Sequence, residues 1–201
     1  AAGETTGTSS AFAIQGDDPY VDGSVETLTI DSTAGGNYEQ LDATDTALVT
    51  VEDTIDATTV SFNDPVVDEG GNITLTATLD NPADGALTIN LDNGETITIA
   101  DGASSGSVTF LAPDDVYQGG NDFDVAIDST SGGNFEQLIT NDVANITVND
   151  DLDTTTISID DVTVDEGSGT ATIDASVDNA PETDLTITLS NGATIVIAAG
   201  E

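Results

Sequence analysis

The chain has 201 residues, 39 of them acidic, and no Lys, Arg or His, so its formal charge is −39. With no base it has no means of gripping a phosphate backbone or an anionic membrane surface by charge, and Ser-His-Asp, Cys-His and Lys-based nucleophilic catalysis each lack an essential residue. Cys is absent as well, which removes disulfides and thiol redox chemistry and, with His, the ligands that zinc and softer metals prefer.

Carboxylate chemistry and binding remain. A high net charge favours disorder, but alternating apolar positions and regular turn signals favour a folded chain once that charge is compensated. Length sets a prior of two domains. The chain contains no Met and no charged segment followed by an apolar run, so it is expected to be a fragment or processed product without signal peptide or transmembrane helix.

An internal repeat dominates the sequence. Thr59-Val-Ser-Phe62 returns as Thr156-Ile-Ser-Ile159, and Val67-Asp-Glu-Gly70 as Val164-Asp-Glu-Gly167, both offset by about 97 residues. Leu91-Asp-Asn-Gly94 returns as Leu189-Ser-Asn-Gly192 after a one-residue insertion, and Asp31–Leu41 matches Asp128–Leu138. Boundaries at the acidic junctions give residues 1–57 as the later part of a repeat, 58–153 as a complete repeat and 154–201 as the earlier part of a third. Ala1-Ala-Gly-Glu4 and Ala198-Ala-Gly-Glu201 are identical and fall at the same place in the repeat.

Within the complete repeat the period is two. Val60 and Phe62 open it, followed by Ile73, Leu75, Ala77 and Leu79 alternating with Thr74, Thr76 and Thr78, the pattern of a half-buried strand. Asn81-Pro-Ala-Asp-Gly85 reads as a turn. Leu87, Ile89 and Leu91 form the next strand, Asp92-Asn-Gly94 a hairpin turn, and Ile97 with Ile99 the return. Val108 and Phe110, then Phe123, Val125 and Ile127, then Ala144, Ile146 and Val148 complete about seven strands, with no helical period. That count and spacing predict an all-β, immunoglobulin-like sandwich.

Three acidic sets recur at equivalent positions: Asp68-Glu69-Gly70 with Asp165-Glu166-Gly167; Asp17-Asp18-Pro-Tyr20 with Asp114-Asp115-Val-Tyr117; and the junctions themselves, Asp53 and Asp56, then Asp150, Asp151 and Asp153. Two like charges about 4 Å apart repel by roughly 1 kcal/mol in water and by several times that near a protein surface. In a sandwich the opening and closing strands lie together, so the three sets are expected to meet at one pole. Clustered carboxylates that no base neutralises suit Ca²⁺, which takes six to eight oxygen ligands.

Glu-Gly early, Asp-Asp-x-Tyr with Gly soon after, and a closing Asn-Asp-Asp resemble the calx-beta pattern. Asn-Pro-Ala-Asp-Gly, Leu-x-Asn-Gly and Ile-x-Ile-Ala resemble the immunoglobulin-like extender repeats of giant bacterial surface adhesins, the LapA-type class. The resemblance covers the whole chain. It implies tandem calx-beta-like β-sandwich modules that bind Ca²⁺ between domains and hold a terminal adhesive region away from the cell. Motif by motif, it carries calcium binding to Glu69, Asp114, Asp115, Asp150 and Asp151, and to Asp17, Asp18, Asp53 and Glu166; Asp56 and Asp153 join them as junction acids. Gln118 stands where the calx-beta pattern often has an acid, and Pro19 follows Asp17-Asp18.

The expected role is thus a structural extender of an extracellular, cell-surface adhesin or fibre, with neighbouring repeats of the same or an identical chain as partners and neither nucleic acid nor membrane in direct contact. A carbohydrate- or ice-binding module acting through its Thr-rich faces is the alternative, although those faces lack a strict short-period array. Solvated surface charge of the halophilic kind is the plainer reading of the acids, but such surfaces retain some Lys or Arg and spread their acids. An enzyme is not expected. A glycosidase needs two acids across a cleft with one pKa raised by an apolar wall, and this chain has no Trp and repeats its acids in every module. Because it has no Lys or Arg, trypsin should leave it intact even when unfolded. Electrophoresis of a denatured digest checks this, and one discrete internal fragment would contradict it.

Overall fold

The computed structural model describes residues 3–200; Ala1, Ala2 and Glu201, at the outer ends of the matching tetrapeptides, lie outside the described residues. Among the described residues fifteen strands follow one another: β1 Ser24–Thr29, β2 Thr46–Val51, β3 Ala57–Phe62, β4 Val66–Asp68, β5 Asn72–Leu79, β6 Leu87–Leu91, β7 Thr96–Ile99, β8 Ser105–Leu111, β9 Phe123–Gly132, β10 Gln137–Ile139, β11 Val143–Asn149, β12 Ile157–Ile159, β13 Ala175–Val177, β14 Leu185–Thr188 and β15 Thr194–Ile197. The protein is all-β. Its one helical element among the described residues is a 3-10 turn at Glu166–Ser168, and no helix is long and apolar enough to cross a membrane.

Two sheets make the sandwich. One runs β10-β3-β5-β8 and the other β4-β11-β9-β6-β7. With β3 and β4 as a first strand split between the sheets, the order is immunoglobulin-like, an A-B-E sheet against a G-F-C-C′ sheet. Alternation along β5 buries Ile73, Leu75, Ala77 and Leu79, and β6 buries Leu87, Ile89 and Leu91 in the same way. The Asp92-Asn-Gly94 hairpin closes as expected: the Leu91 amide donates to the Glu95 carbonyl at 2.9 Å, and Gly94 takes φ 88°, open to glycine at no steric cost. Two short strands escaped the periodicity, β4 and β10. Each is three residues long and pairs in parallel with a distant segment, β4 with β11 and β10 with β3, so alternation has too few positions to show.

Contacts divide the chain into two compact units. The first holds the residues up to Asn63 with Thr76–Val108 and Ala126–Val143; the second holds Asp64–Leu75, Thr109–Val125 and the residues from Ala144 onward. In the first, β1 pairs antiparallel with β2, Ser24 opposite Val51. In the second, β12 pairs with β13 and β14 with β15. The β14–β15 register, Leu185 opposite Ile197, repeats that of β6–β7, Leu87 opposite Ile99. The hairpin repeats too, with Leu189 donating to Ala193 at 2.8 Å and Gly192 at φ 89°.

Burial is confined. Among the described residues every buried one lies between Thr58 and Val148, whereas Val25, Leu48, Ile157, Ile159 and Val196 in the flanking strands are exposed. Leu75→Ala should therefore destabilise the fold by about 2–5 kcal/mol, while Leu48→Ala, on an outward face, should change it by less than about 0.5 kcal/mol. Denaturant midpoints of the two variants check this.

Candidate metal centre

Among the described residues Glu69 is one of two buried polar side chains, with 5% of its surface exposed. It follows β4 directly, and its amide donates to the Asn149 carbonyl at 3.0 Å, continuing the parallel β4–β11 pairing. Gly70 turns the chain away at φ 64°, its amide held by the Pro113 carbonyl at 3.1 Å. That contact brings the Pro113-Asp114-Asp115 segment alongside. Gly120 allows the same segment to approach β11, since a side chain there would collide with the Val148 carbonyl.

Around this turn the acids converge. Carboxylate oxygens of Glu69, Asp114 and Asp151 lie within 4.8 Å of one another. Asn121 bridges two of the neighbouring groups, its amide donating to Glu69 Oε1 at 2.9 Å and to Asp115 Oδ2 at 3.0 Å; Asp115 Oδ1 accepts the Tyr117 amide at 2.8 Å. Glu69 Oε2 is buried with no hydrogen-bond partner. A buried carboxylate oxygen left unpaired is costly.

The electrostatics follow. Burial raises the Glu69 pKa above its ordinary value, and Asp115, Asp150 and Asp151 add to the rise against the opposing Asn121 bond. Asp151 is raised by burial first, then by Asp153, Asp114, Asp150 and Asp68. Asp115 is lowered, by the Asn121 and Tyr117 hydrogen bonds. The site is thus two strained carboxyl groups beside one well-solvated by donors, with an oxygen-only donor set. These three carboxylates could hold a metal ion, and an oxygen-only set is the kind that hard cations take.

The other junction acids are distributed as follows. Asp150 faces Glu69 electrostatically and Asp153 faces Asp151; Asp115, Asp150, Asp151 and Asp153 line one cavity with Tyr117 and Gln118. Asp17, Asp18 and Asp53 line a second cavity, of about 150 Å³, with Asp22 and Glu136. There Asp53 Oδ2 accepts the Asp22 amide at 3.1 Å, Asp17 accepts the Thr54 hydroxyl, and the Asp56 amide donates to Glu136 Oε2 at 2.6 Å. Glu166 is exposed on its 3-10 turn and belongs to neither group. Its repeat counterpart Glu69 meets acids that follow it in the chain, and the counterparts of those acids, Asp17, Asp18 and Asp53, precede Glu166.

Three participants went unassigned at the level of sequence. Asn121 has Ser24 as its repeat counterpart, so the repeat carries no signal for it. Asp22 corresponds to Gly119. Glu136 does recur, as Glu39, inside the Gly-Gly-Asn-aromatic-Glu-Gln-Leu motif, and that recurrence was the available clue.

Each junction also carries a tyrosine bond. The Tyr20 hydroxyl donates to the Pro82 carbonyl at 2.7 Å, and its counterpart Tyr117 donates to the Ala180 carbonyl at 2.6 Å. Tyr20 packs on Phe135 with ring centroids 5.9 Å apart.

Without a cation, ionised Glu69 weakens the fold. A raised native pKa means stability present at low pH and lost as pH rises through that value. In EDTA near neutral pH, Glu69→Gln should therefore melt above the wild type, and the gap should close as the pH falls through the raised Glu69 pKa. In calcium the order should reverse. Melting curves in both buffers decide it.

A family model described as the LapA domain matches residues 1–54, 56–151 and 153–201. No match to a curated protein accompanies it.

Proposed function

We propose, from the premise that this chain belongs to the LapA domain family, that it is a run of extender modules of a bacterial cell-surface adhesin, stiffened by Ca²⁺ at the junctions between modules. Membership makes it an adhesin-related, surface-associated module with a structural role. The finer reading rests on one observation: the buried, unpartnered Oε2 of Glu69, beside the Asp114 and Asp151 carboxylates.

Those three residues would hold the ion, with Asp115 and Asp150 beside them. They come from three separate stretches. Glu69 follows the opening strands of the complete repeat, Asp114 follows β8, and Asp151 lies in the segment that leads to β12. A cation there would offset the mutual repulsion of the carboxylates and tie the departing segment to the module it leaves. The Tyr117–Ala180 bond already fixes the next repeat at one point, and a second tie would remove most of the remaining freedom of the hinge. We place the module boundaries at the junction acids, near residues 57 and 153.

Binding to the folded state alone adds RT ln(1 + [Ca²⁺]/Kd), about 2.7 kcal/mol at a hundredfold excess over Kd. That is substantial beside the roughly 5–15 kcal/mol of an ordinary domain. Extracellular calcium saturates even a weak site. Chelation should lower the melting temperature and the radius of gyration, and Asp151→Ala should remove part of the calcium response. Melting and X-ray scattering in EDTA, in Ca²⁺ and in NaCl of matched ionic strength test this. If NaCl restored all that calcium does, screening rather than coordination would be the cause.

A further inference from the structure

Among the acids gathered at the Glu69 turn, Asp115 is the one whose oxygens are both engaged. Its Oδ1 accepts the Tyr117 amide at 2.8 Å and its Oδ2 the Asn121 side chain at 3.0 Å. Glu69 is engaged by half. Its Oε1 accepts the same Asn121 nitrogen at 2.9 Å, while the buried Oε2 has no partner. Ionised carboxylates only accept hydrogen bonds, and an amide nitrogen carries two hydrogens, so one asparagine serves both groups at once. A Ser or Thr hydroxyl has a single hydrogen to give, and an ionised Asp has none.

Asn121 is fixed through its neighbours on both sides. Asp122 Oδ1 accepts the Val148 amide at 2.8 Å, and Gly120 lies so close to the Val148 carbonyl that a side chain there would collide with it. Both contacts are with β11, the strand that leads directly to Asp150 and Asp151. The bridge is thus built on the same strand as the acids it faces. At the other junction only half of the arrangement recurs. Asp18 Oδ1 accepts the Tyr20 amide at 3.0 Å, as Asp115 does for Tyr117, but Ser24 stands where Asn121 would be.

We propose that Asn121 is the positioning residue that sets the ligand count of this site: it withholds Asp115 and leaves Glu69 one free oxygen, so that Glu69, Asp114 and Asp151 hold the cation and Asp115 does not. This role rests on the calcium reading above and adds to it the residue that decides which carboxylates take part. Affinity at oxygen sites follows the ligand charge count and the rigidity of the site, and Asn121 acts on both. It keeps one negative charge out of the ligand set and holds the Glu69 carboxylate from behind.

Calcium titration calorimetry of the whole chain tests this, with Asp151→Asn as the reference. The binding step that Asp151→Asn weakens belongs to this site. Asp115→Asn should change its affinity by less than about fivefold, the effect of a nearby charge that does not ligate. Asn121→Ala should lower it about 10–100-fold, and Asn121→Ser, with one hydrogen in place of two, should fall between. Circular dichroism in EDTA identifies the variants that fold, and Asn121→Ser carries the comparison if Asn121→Ala does not. In the Asn121 variant, where Asp115 is released, Asp115→Asn should cost more than it does in the wild type. A residue that only supported the fold would give additive losses, and that result would overturn the role. If no step responds to Asp151→Asn, the calcium reading fails and this role falls with it. If the step is present but Asp115→Asn weakens it as much as Asp151→Asn does, or loss of Asn121 leaves it unchanged, the calcium reading stands and the role of Asn121 is overturned.

Discussion

A carboxylate in a chain without a single base has few partners: a backbone amide, a side-chain amide or hydroxyl, water, or an ion from solution. This protein uses the first of these throughout. Asp80 accepts the Thr59 amide at 2.8 Å, Asp142 the Phe62 amide at 2.7 Å, Asp64 the Asn145 amide at 2.8 Å and Asp122 the Val148 amide at 2.8 Å. Each takes up a strand amide, so negative charge becomes part of the sheet scaffold. Asp178 repeats for Thr156 what Asp80 does for Thr59. Glu69 departs from this economy of donors. One oxygen has Asn121 and the other has nothing, and that imbalance is what singles out the site among so many acids.

The compact units and the sequence repeat do not share boundaries. Each unit contains one tyrosine junction whole: Tyr20 with Pro82 and Phe135 in the first, Tyr117 with Ala180 in the second. A repeat boundary in the sequence is therefore a place of contact in the fold. At the first junction a half-buried ring pair and a tyrosine bond tie neighbouring repeats, and at the second a tyrosine bond does so beside the acidic turn.

The two acidic junctions are also not identical copies. Asp151, one of the three convergent carboxylates, has Thr54 as its counterpart, and the Thr54 hydroxyl donates to Asp17. A hydroxyl relieves one carboxylate where the other junction adds a third. Asn121 likewise has Ser24 as its counterpart. The chain thus varies the charge at successive junctions.

Much of this was legible from residues alone. Strict alternation at Ile73–Leu79 and Leu87–Leu91, with Asn-Gly turns between, specifies strands because a slip of one position would turn every apolar side chain outward. The offset of about 97 residues specifies equivalence among the motifs. The absence of bases specifies that no side-chain salt bridge relieves an acidic cluster. What tertiary structure alone decided is which acids meet. Asp114 and Asp115 are neighbours in sequence, yet one converges with Glu69 and Asp151 while the other is drawn to Asn121 and the Tyr117 amide. Glu69 and Glu166 share the same motif, yet one is buried and the other exposed. Spacing along a chain fixes which residues can be near a turn; burial depends on what arrives there from distant strands, and those contacts are set only when the sandwich closes around them.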